Sequence, residues 1–295
     1  MGGPGEIAAV GTLYLVATPL GNLEDITLRA LRILRESRLI AAEDTRYTRK
    51  LLNHFEITTP TISYHEHSGR VGIAIVMVAL AEGDVALVSD AGTPAISDPG
   101  ADLVSAAIAA GYPVTPIPGP SAVIAALIAS GLPTDQFTFL GFPPRRKHER
   151  RALLASVRNE PRTLVLYEAP HRLRACLDDL LAVLGDRDAC LARELTKVHE
   201  QWLRGTLAEI LERYAHEEPR GEYTLVIAGA RNTNRRESEM EPAEKERLAH
   251  KRLRALLGEG QSTRDAATQV VGELGISRRD AYRMALDVAT ESAEE

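Results

Sequence analysis

Short apolar runs of four or five residues recur along the first 230 positions. Each is followed by a turn-rich loop and then by apolar residues at three- and four-residue spacing. The runs Leu13–Ala17, Leu39–Ala42, Thr61–Tyr64, Val85–Ser89 and Val114–Ile117 read as strands. The stretches between them read as helices. One carries Leu28, Leu31, Ile33 and Leu34 inward behind a cap at Asp25 or Thr27; others cover Lys50–His54, residues 70–82 and the segment from about Asp102. Strands alternating with helices predict βαβ units and a mostly parallel sheet.

Between 131 and 150 the rhythm changes. Ser130–Thr134 and Gly141–Pro144 are breaks around a strand at Phe137–Leu140. Alternation then resumes, with strands at Thr163–Tyr167, Ala189–Ala192 and Gly221–Gly229 and helices at 172–184 and 206–214. This second α/β unit is smaller and leaves room for antiparallel pairing. The pattern divides the chain into an α/β domain at 11–120, a second at 121–231, a polar linker at 232–243 and a helical module at 244–292. Within the module, residues 266–282 have helix-turn-helix spacing: two amphipathic helices meet at Leu-Gly-Ile-Ser, where Gly stops the first and Ser277 caps the second. Such a pair enters a nucleic-acid groove or serves as a packing unit, and both readings stay open here.

Composition narrows the class without naming a function. With 44% hydrophobic and 26% charged residues, the 295-residue chain is an ordinary globular protein, and no apolar run reaches membrane-spanning length. Met1–Val10 lacks the basic and apolar regions of a secretory signal. Cys176 and Cys190 are too few for a disulfide framework and lack metal-site spacing, so both read as buried apolar residues in a reducing cytoplasm, with no metal expected. The net charge of −6 argues weakly against a nucleic-acid-coated surface, but two local runs are basic: Arg145–Arg151 and His250–Arg254.

The chemistry concentrates in loops after strands. Ser89–Gly100, Ser-Asp-Ala-Gly-Thr-Pro-Ala-Ile-Ser-Asp-Pro-Gly, follows a buried strand and precedes a helix, where open α/β sheets hold their ligands. Its small residues allow close backbone approach and its amides can meet an anion. One such loop is equally well an ordinary turn. Several in series are more telling: Val16–Thr27, Glu43-Asp-Thr-Arg46, Pro118-Gly-Pro-Ser-Ala122, Gly141-Phe-Pro-Pro144, Tyr167-Glu-Ala-Pro-His-Arg172, Ala192-Arg-Glu-Leu-Thr-Lys197 and Gly221-Glu-Tyr-Thr-Leu225.

Taken together and in this order, these motifs resemble the tetrapyrrole methylase family of S-adenosylmethionine enzymes. Within it they are most similar to the branch that methylates a cytidine ribose 2′-hydroxyl of small-subunit (16S) rRNA. The resemblance covers residues 12–230 and extends into the C-terminal helices. It implies two facing α/β domains with S-adenosylmethionine folded in the cleft between them, and a homodimer. By position, it assigns cofactor contacts to Leu20, Gly92, Thr93, Pro94, Ile96, Ser121, Ala122, Glu168, Ala192 and Thr224. Thr93 stands where the wider family carries an Asp, so a hydroxyl without charge replaces a carboxylate and backbone amides must hold part of a polar cofactor group.

Methyl transfer from sulfonium to oxygen needs the acceptor in line, about 3 Å from the methyl carbon, and a ribose hydroxyl benefits from a base or a cation beside it. Polar residues at the strand ends are the candidates. Glu194 or Glu168 would take the proton, Lys197, Arg193 or Arg46 would stabilise charge and hold phosphate, and His171 suits either role. The plain alternative is that Glu194–Arg193 and Asp44–Arg46 are local ion pairs. The basic run would flank the cleft, with Arg145, Arg146, Lys147 and Arg150 meeting RNA phosphates and Phe142 beside them a candidate to stack on a base. The rival activities are methylation of a tetrapyrrole or corrin precursor, and an inactive RNA-binding assembly factor on the same fold.

Overall fold

The computed structural model describes residues 11–230, 242–258, 261–274 and 276–294. Met1–Val10, the expected linker up to residue 241 and the helix-stopping Gly275 lie outside the described residues. Residues up to Gly229 form one compact unit and those from Ala230 a second.

The first unit holds two five-stranded sheets. In the first, β1 (Leu13–Val16), β2 (Leu39–Ala42), β3 (Thr61–Ser63), β4 (Val85–Val88) and β5 (Val114–Ile117) stand in the order β3-β2-β4-β1-β5 and every pair is parallel. Each crossover carries a helix: α1 (Leu28–Glu36), α2 (Thr45–His54), α3 (Gly69–Glu82) and α4 (Ala101–Ala109). All four residues of β4 are buried, as a central parallel strand covered on both faces requires. Thr27 caps α1, its Oγ1 accepting from the Ala30 amide at 3.0 Å, while Asp25 ends a separate 3-10 turn. Leu31, Ile33 and Leu34 are buried as expected, but Leu28, in the first turn, is 87% exposed. α2 begins five residues before the apolar signal at Lys50, because Asp44 accepts from the Arg46 amide at 2.8 Å and starts the helix there.

In the second sheet, β6 (Phe137–Phe139), β7 (Thr163–Glu168), β8 (Asp188–Arg193), β9 (Gln201–Thr206) and β10 (Tyr223–Ile227) run β6-β7-β10-β8-β9. Only β6 and β7 are parallel. β9 has no counterpart in the sequence reading: it is an edge strand, half-buried, with Arg204 and Gly205 interrupting any apolar run. Helices α5 (Ala122–Ala129), α6 (Lys147–Ser156), α7 (Leu173–Leu184) and α8 (Leu207–His216) accompany this sheet. α5, apolar all round, packs Val123, Ala126 and Leu127 against Val165, Cys190 and Val226. Cys176 and Cys190 are both free and buried, and burial raises both thiol pKa values.

The basic run at the start of α6 is partly structural. Arg150 lies buried, its Nη2 2.6 Å from Asp179 Oδ2, and Arg151 Nε reaches Asp179 Oδ1 at 2.6 Å, tying α6 to α7. Arg150 also donates to the carbonyls of Arg145 and Ala175, each at 3.3 Å. The expectation that Arg150 meets RNA phosphate is therefore corrected: a guanidinium with a buried carboxylate and two carbonyls has no access to a partner outside the protein.

The second unit comprises α9 (Pro242–Gly258), α10 (Thr263–Leu274) and α11 (Arg278–Glu294) around Leu253, Leu256, Val270, Ala281, Met284 and Val288. Ser277 caps α11, accepting from the Asp280 amide at 3.1 Å. No helix among the described residues is long and apolar enough to cross a membrane.

Candidate active site

The carboxyl end of the parallel sheet is where its ligand should lie, and the loops after β1, β2, β4 and β5 meet there. The loop after β4 is fixed first. Thr18 and Gly92 exchange two backbone hydrogen bonds of 2.9 Å, and Thr18 Oγ1 donates to the Ser89 carbonyl at 3.2 Å. Gly92 has φ +79°, and a Cβ there would stand 3.1 Å from Leu20. Beyond it Ala95 and Ser97 also hold positive φ, at 67° and 61°. Left-handed backbone at two non-glycine residues costs energy and persists where surrounding structure dictates it, commonly at sites. Thr93 Oγ1 donates to the Pro120 carbonyl at 3.0 Å, so this hydroxyl joins two site loops.

Second-sheet residues close the opposite wall. The cavity, about 330 Å³, is lined from the first sheet by Leu20, Gly92, Thr93, Ile96, Ser121 and Ala122 and from the second by Glu168 and Thr224. Phe142, Tyr167 and Glu222 add to the second wall. Of the ten expected cofactor contacts, Pro94 and Ala192 do not line it. Both are buried, Ala192 in the core between α5 and the second sheet.

The cavity is acidic. Glu43, Asp90 and Asp98 all line it. The Asp90 amide donates to Glu43 Oε2 at 3.2 Å, and Asp90 Oδ1 accepts from the Asp44 amide at 3.0 Å. Burial, reinforced by the charges of its neighbours, raises the carboxyl pKa of Glu43 and of Asp90. Asp98 is pushed up to about 6 by burial and by Glu43 and Asp90, against a hydrogen bond from Ser89. Across the cavity, burial and the Asp98 charge push the Tyr167 phenol up to about 12. None of these carboxylates is among the contacts that the sequence motifs assign. The clue was present in Glu43, Asp90 and Asp98 lying inside the quoted motifs, but Asp in a turn-rich loop reads first as a turn former. Thr93 brings no charge to this cavity, and Glu43, Asp90 and Asp98 line it beside that hydroxyl. Among the described residues no cluster of His, Cys, Asp and Glu is built to hold a metal ion.

The five catalytic candidates sit otherwise. Glu168 lines the cavity, but its carboxylate is buried, accepting from the Ala169 amide at 2.8 Å and from Arg172 Nη2 at 3.2 Å. Glu194 and Lys197 form an ion pair of 3.0 Å, and Lys197 also reaches Glu222 at 3.0 Å. Burial alone would raise Glu194, yet Lys197 and the Glu222 amide outweigh it and hold the carboxyl below its ordinary range. Burial likewise works against Lys197, and its two carboxylate partners prevail and keep it protonated. A lowered carboxyl is a weaker proton acceptor, so this pair is better suited to holding structure and charge than to acting as the base. Its place is at the junction of the two halves: a Cβ on Gly21 would stand 2.2 Å from Lys197 Cγ, and the Asn22 amide donates to Thr196 Oγ1 at 3.1 Å. Arg193 is engaged by the Arg220 carbonyl at 2.7 Å and Gln201 at 3.0 Å. His171 is exposed and borders a shallower opening with Arg145 and Phe142. The Phe142 and Tyr167 rings lie 5.3 Å apart, linking that opening to the cavity.

Arg46, 88% exposed, stands 2.7 Å from Asp44, and its hydrogen bonds hold the Asp44 carboxyl down at about 2. Arg145, Arg146 and Lys147 are exposed, with Arg146 3.2 Å from Glu149.

Residues 12–211 match the family of Tetrapyrrole (Corrin/Porphyrin) Methylases. The chain belongs to that family. Solved tetrapyrrole methylases share the fold. Uroporphyrin-III C-methyltransferase of Thermus thermophilus superposes with TM-score 0.53 at 22% identity, covering 74% of this chain and 97% of that one. The cobalamin biosynthetic cobalt precorrin-4 methyltransferase gives 0.53 at 16%, covering 74% and 94%. Sequence relatives within the methylase family are much nearer. A Synechocystis protein named Ribosomal RNA small subunit methyltransferase I is 49% identical over 95% of this chain and 99% of its own length. Proteins of the same name are 48% identical in Halalkalibacterium halodurans, over 93% and 94%, and 40% identical in Bacillus subtilis, over 92% and 93%.

Proposed function

We infer that the chain is an S-adenosylmethionine-dependent methyltransferase of small-subunit rRNA, acting on a cytidine ribose 2′-hydroxyl in the cytoplasm. The observation that carries this reading is near-end-to-end similarity, 49% over 95% of the chain, to a protein named as a methyltransferase of that RNA. Neighbours that act on tetrapyrroles are similar at 22% or less among those compared.

The cavity suits the donor. S-adenosylmethionine supplies an electrophilic methyl group on a sulfonium and also carries an ammonium, so it is cationic at its reactive end. Glu43, Asp90 and Asp98 offer desolvated negative charge with amides and hydroxyls as partners. That arrangement is costly by itself and is relieved by a bound cation. Gly92, Ser121 and Ala122 give close backbone approach, and Leu20, Ile96 and Phe142 supply apolar surface for an adenosine group.

Arg145, Arg146, Lys147 and Arg46 are the cations placed to meet phosphate. A second copy of the chain is expected to cover α3, whose Val71, Ile75 and Val78 are 72%, 49% and 64% exposed at helical spacing. Incubation with labelled donor and either small ribosomal subunits or tetrapyrrole precursors tests the activity. Label on a cytidine ribose of the RNA is expected. Label in pigment, or in neither, would overturn the assignment in favour of a corrin-type methylase or an inactive assembly factor.

A further inference from the structure

A second cavity, about 320 Å³, adjoins the acidic one and has no role yet. The two share Asp90, and Thr18, which is bonded to Gly92, lines the second. Its outer part is contributed by consecutive turns of α2: Tyr47, Thr48, Lys50 and Leu51.

Three features of this wall are unusual for a helix that only packs. Tyr47 is 45% exposed, a large ring left open at the cavity edge. Lys50 is exposed, makes no ion pair among the described residues and places Nζ 5.8 Å from the centre of the Tyr47 ring. Thr48 is buried, 3% exposed, and its Oγ1 has no hydrogen-bond partner among the described residues. A buried hydroxyl left unpaired costs free energy that an apolar isostere would avoid, and this one belongs to a residue of the cavity wall.

We propose that this cavity receives the acceptor nucleotide of the RNA: a base stacked on Tyr47, a polar base or sugar atom bonded to Thr48 Oγ1, and a flanking phosphate held by Lys50. The chemistry of the three groups matches an unstacked nucleotide, which offers a π-face, hydrogen-bonding edges and an anionic backbone within one residue. The position matches as well, because an acceptor seated here borders the donor cavity along Asp90. The inference rests on the RNA methyltransferase reading and adds to it the place of the acceptor.

The test is steady-state methylation of small ribosomal subunits by the full chain, with donor affinity measured separately by calorimetry. Tyr47→Ala is expected to raise KM for the RNA about tenfold, and Tyr47→Phe, which keeps the ring, to leave it near wild type. Lys50→Ala should raise KM about threefold and lower the salt dependence of RNA binding by about one charge. Thr48→Val carries the sharper sign: melting temperature unchanged or higher, donor affinity unchanged, KM for the RNA raised. Unchanged KM in Tyr47→Ala and Thr48→Val would overturn the pocket while leaving the activity standing. A wild-type chain that methylates no RNA would instead remove the reading beneath it.

Discussion

The acidic cavity and the basic run at 145–151 handle charge in opposite ways. In the cavity, Glu43, Asp90 and Asp98 are partly buried and mutually repelling, with amides and a Ser89 hydroxyl as partners and carboxyl pKa values raised. In the basic run, Asp179 takes up Arg150 and Arg151 and leaves Arg145, Arg146 and Lys147 at the surface. Charge that is desolvated without a counter-charge marks a place for a ligand; charge that is desolvated with one marks a joint in the fold. The comparison can be broken at either end.

The largest effect should come from the joint. Asp179→Ala leaves the Arg150 guanidinium buried without its carboxylate, and breaking such a pair by removing one partner costs about 3–5 kcal/mol. Asp179 and Arg150 side chains are 1% and 5% exposed, so solvent screens little of this. Chemical denaturation should show the midpoint fall accordingly, with donor affinity of the folded protein retained. A loss below about 1 kcal/mol would mean the pair behaves as a surface ion pair.

Asp98 comes next. Its raised carboxyl has two consequences of opposite sign. The neutral form is favoured in the folded protein, so its contribution to stability is full below the ordinary carboxylate range and is lost as pH rises through about 6. Donor affinity moves the other way, because a cation prefers the ionised form and its binding below about 6 releases a proton. Asp98→Asn should flatten both profiles and weaken donor binding about tenfold or more, the scale of a lost charge-assisted hydrogen bond. Calorimetry across pH 5–8 reads affinity and proton release together. An affinity that stays level through about 6 in the unaltered chain would detach Asp98 from the donor.

Much of this arrangement could be read from the chain before folding. The β-strand and helix rhythm to residue 120 and the small-residue loops at 16–22, 89–100 and 118–122 are local signals, and the parallel sheet and cavity use them directly. What escaped was decided at long range. β9 is a strand because β8 offers it an edge from Asp188 to Arg193, and nothing in Gln-Trp-Leu-Arg-Gly-Thr says so. Arg150 reads like its basic neighbours until Asp179, 29 residues later, is brought beside it. Glu194 and Lys197 look like a base and a cation at a strand end, and folding makes them each other's partner. The carboxylates that line the cavity were hidden for the converse reason. Their repulsion is a property of two loops converging, with Glu43 from after β2 and Asp90 and Asp98 from after β4.

The smallest effect belongs to the cations that the joint leaves over. Arg145, Arg146 and Lys147 are exposed, and Arg146 lies 3.2 Å from Glu149, a half-exposed side chain. Replacing all three by Ala should leave both stability and donor affinity within about 0.5 kcal/mol of the unaltered chain, as for surface substitutions generally. RNA affinity should fall, and its logarithmic salt slope should become shallower by about 2, since each phosphate contact to single-stranded RNA releases roughly 0.7 of a counterion. Arg150→Lys, made in parallel, should do the reverse: it should lower stability by losing one of the two hydrogen bonds that Nε and Nη2 donate to Asp179 Oδ2, and leave the salt slope unchanged. If the triple variant kept the full slope while Arg150→Lys reduced it, the division between joint and surface would be drawn in the wrong place along α6.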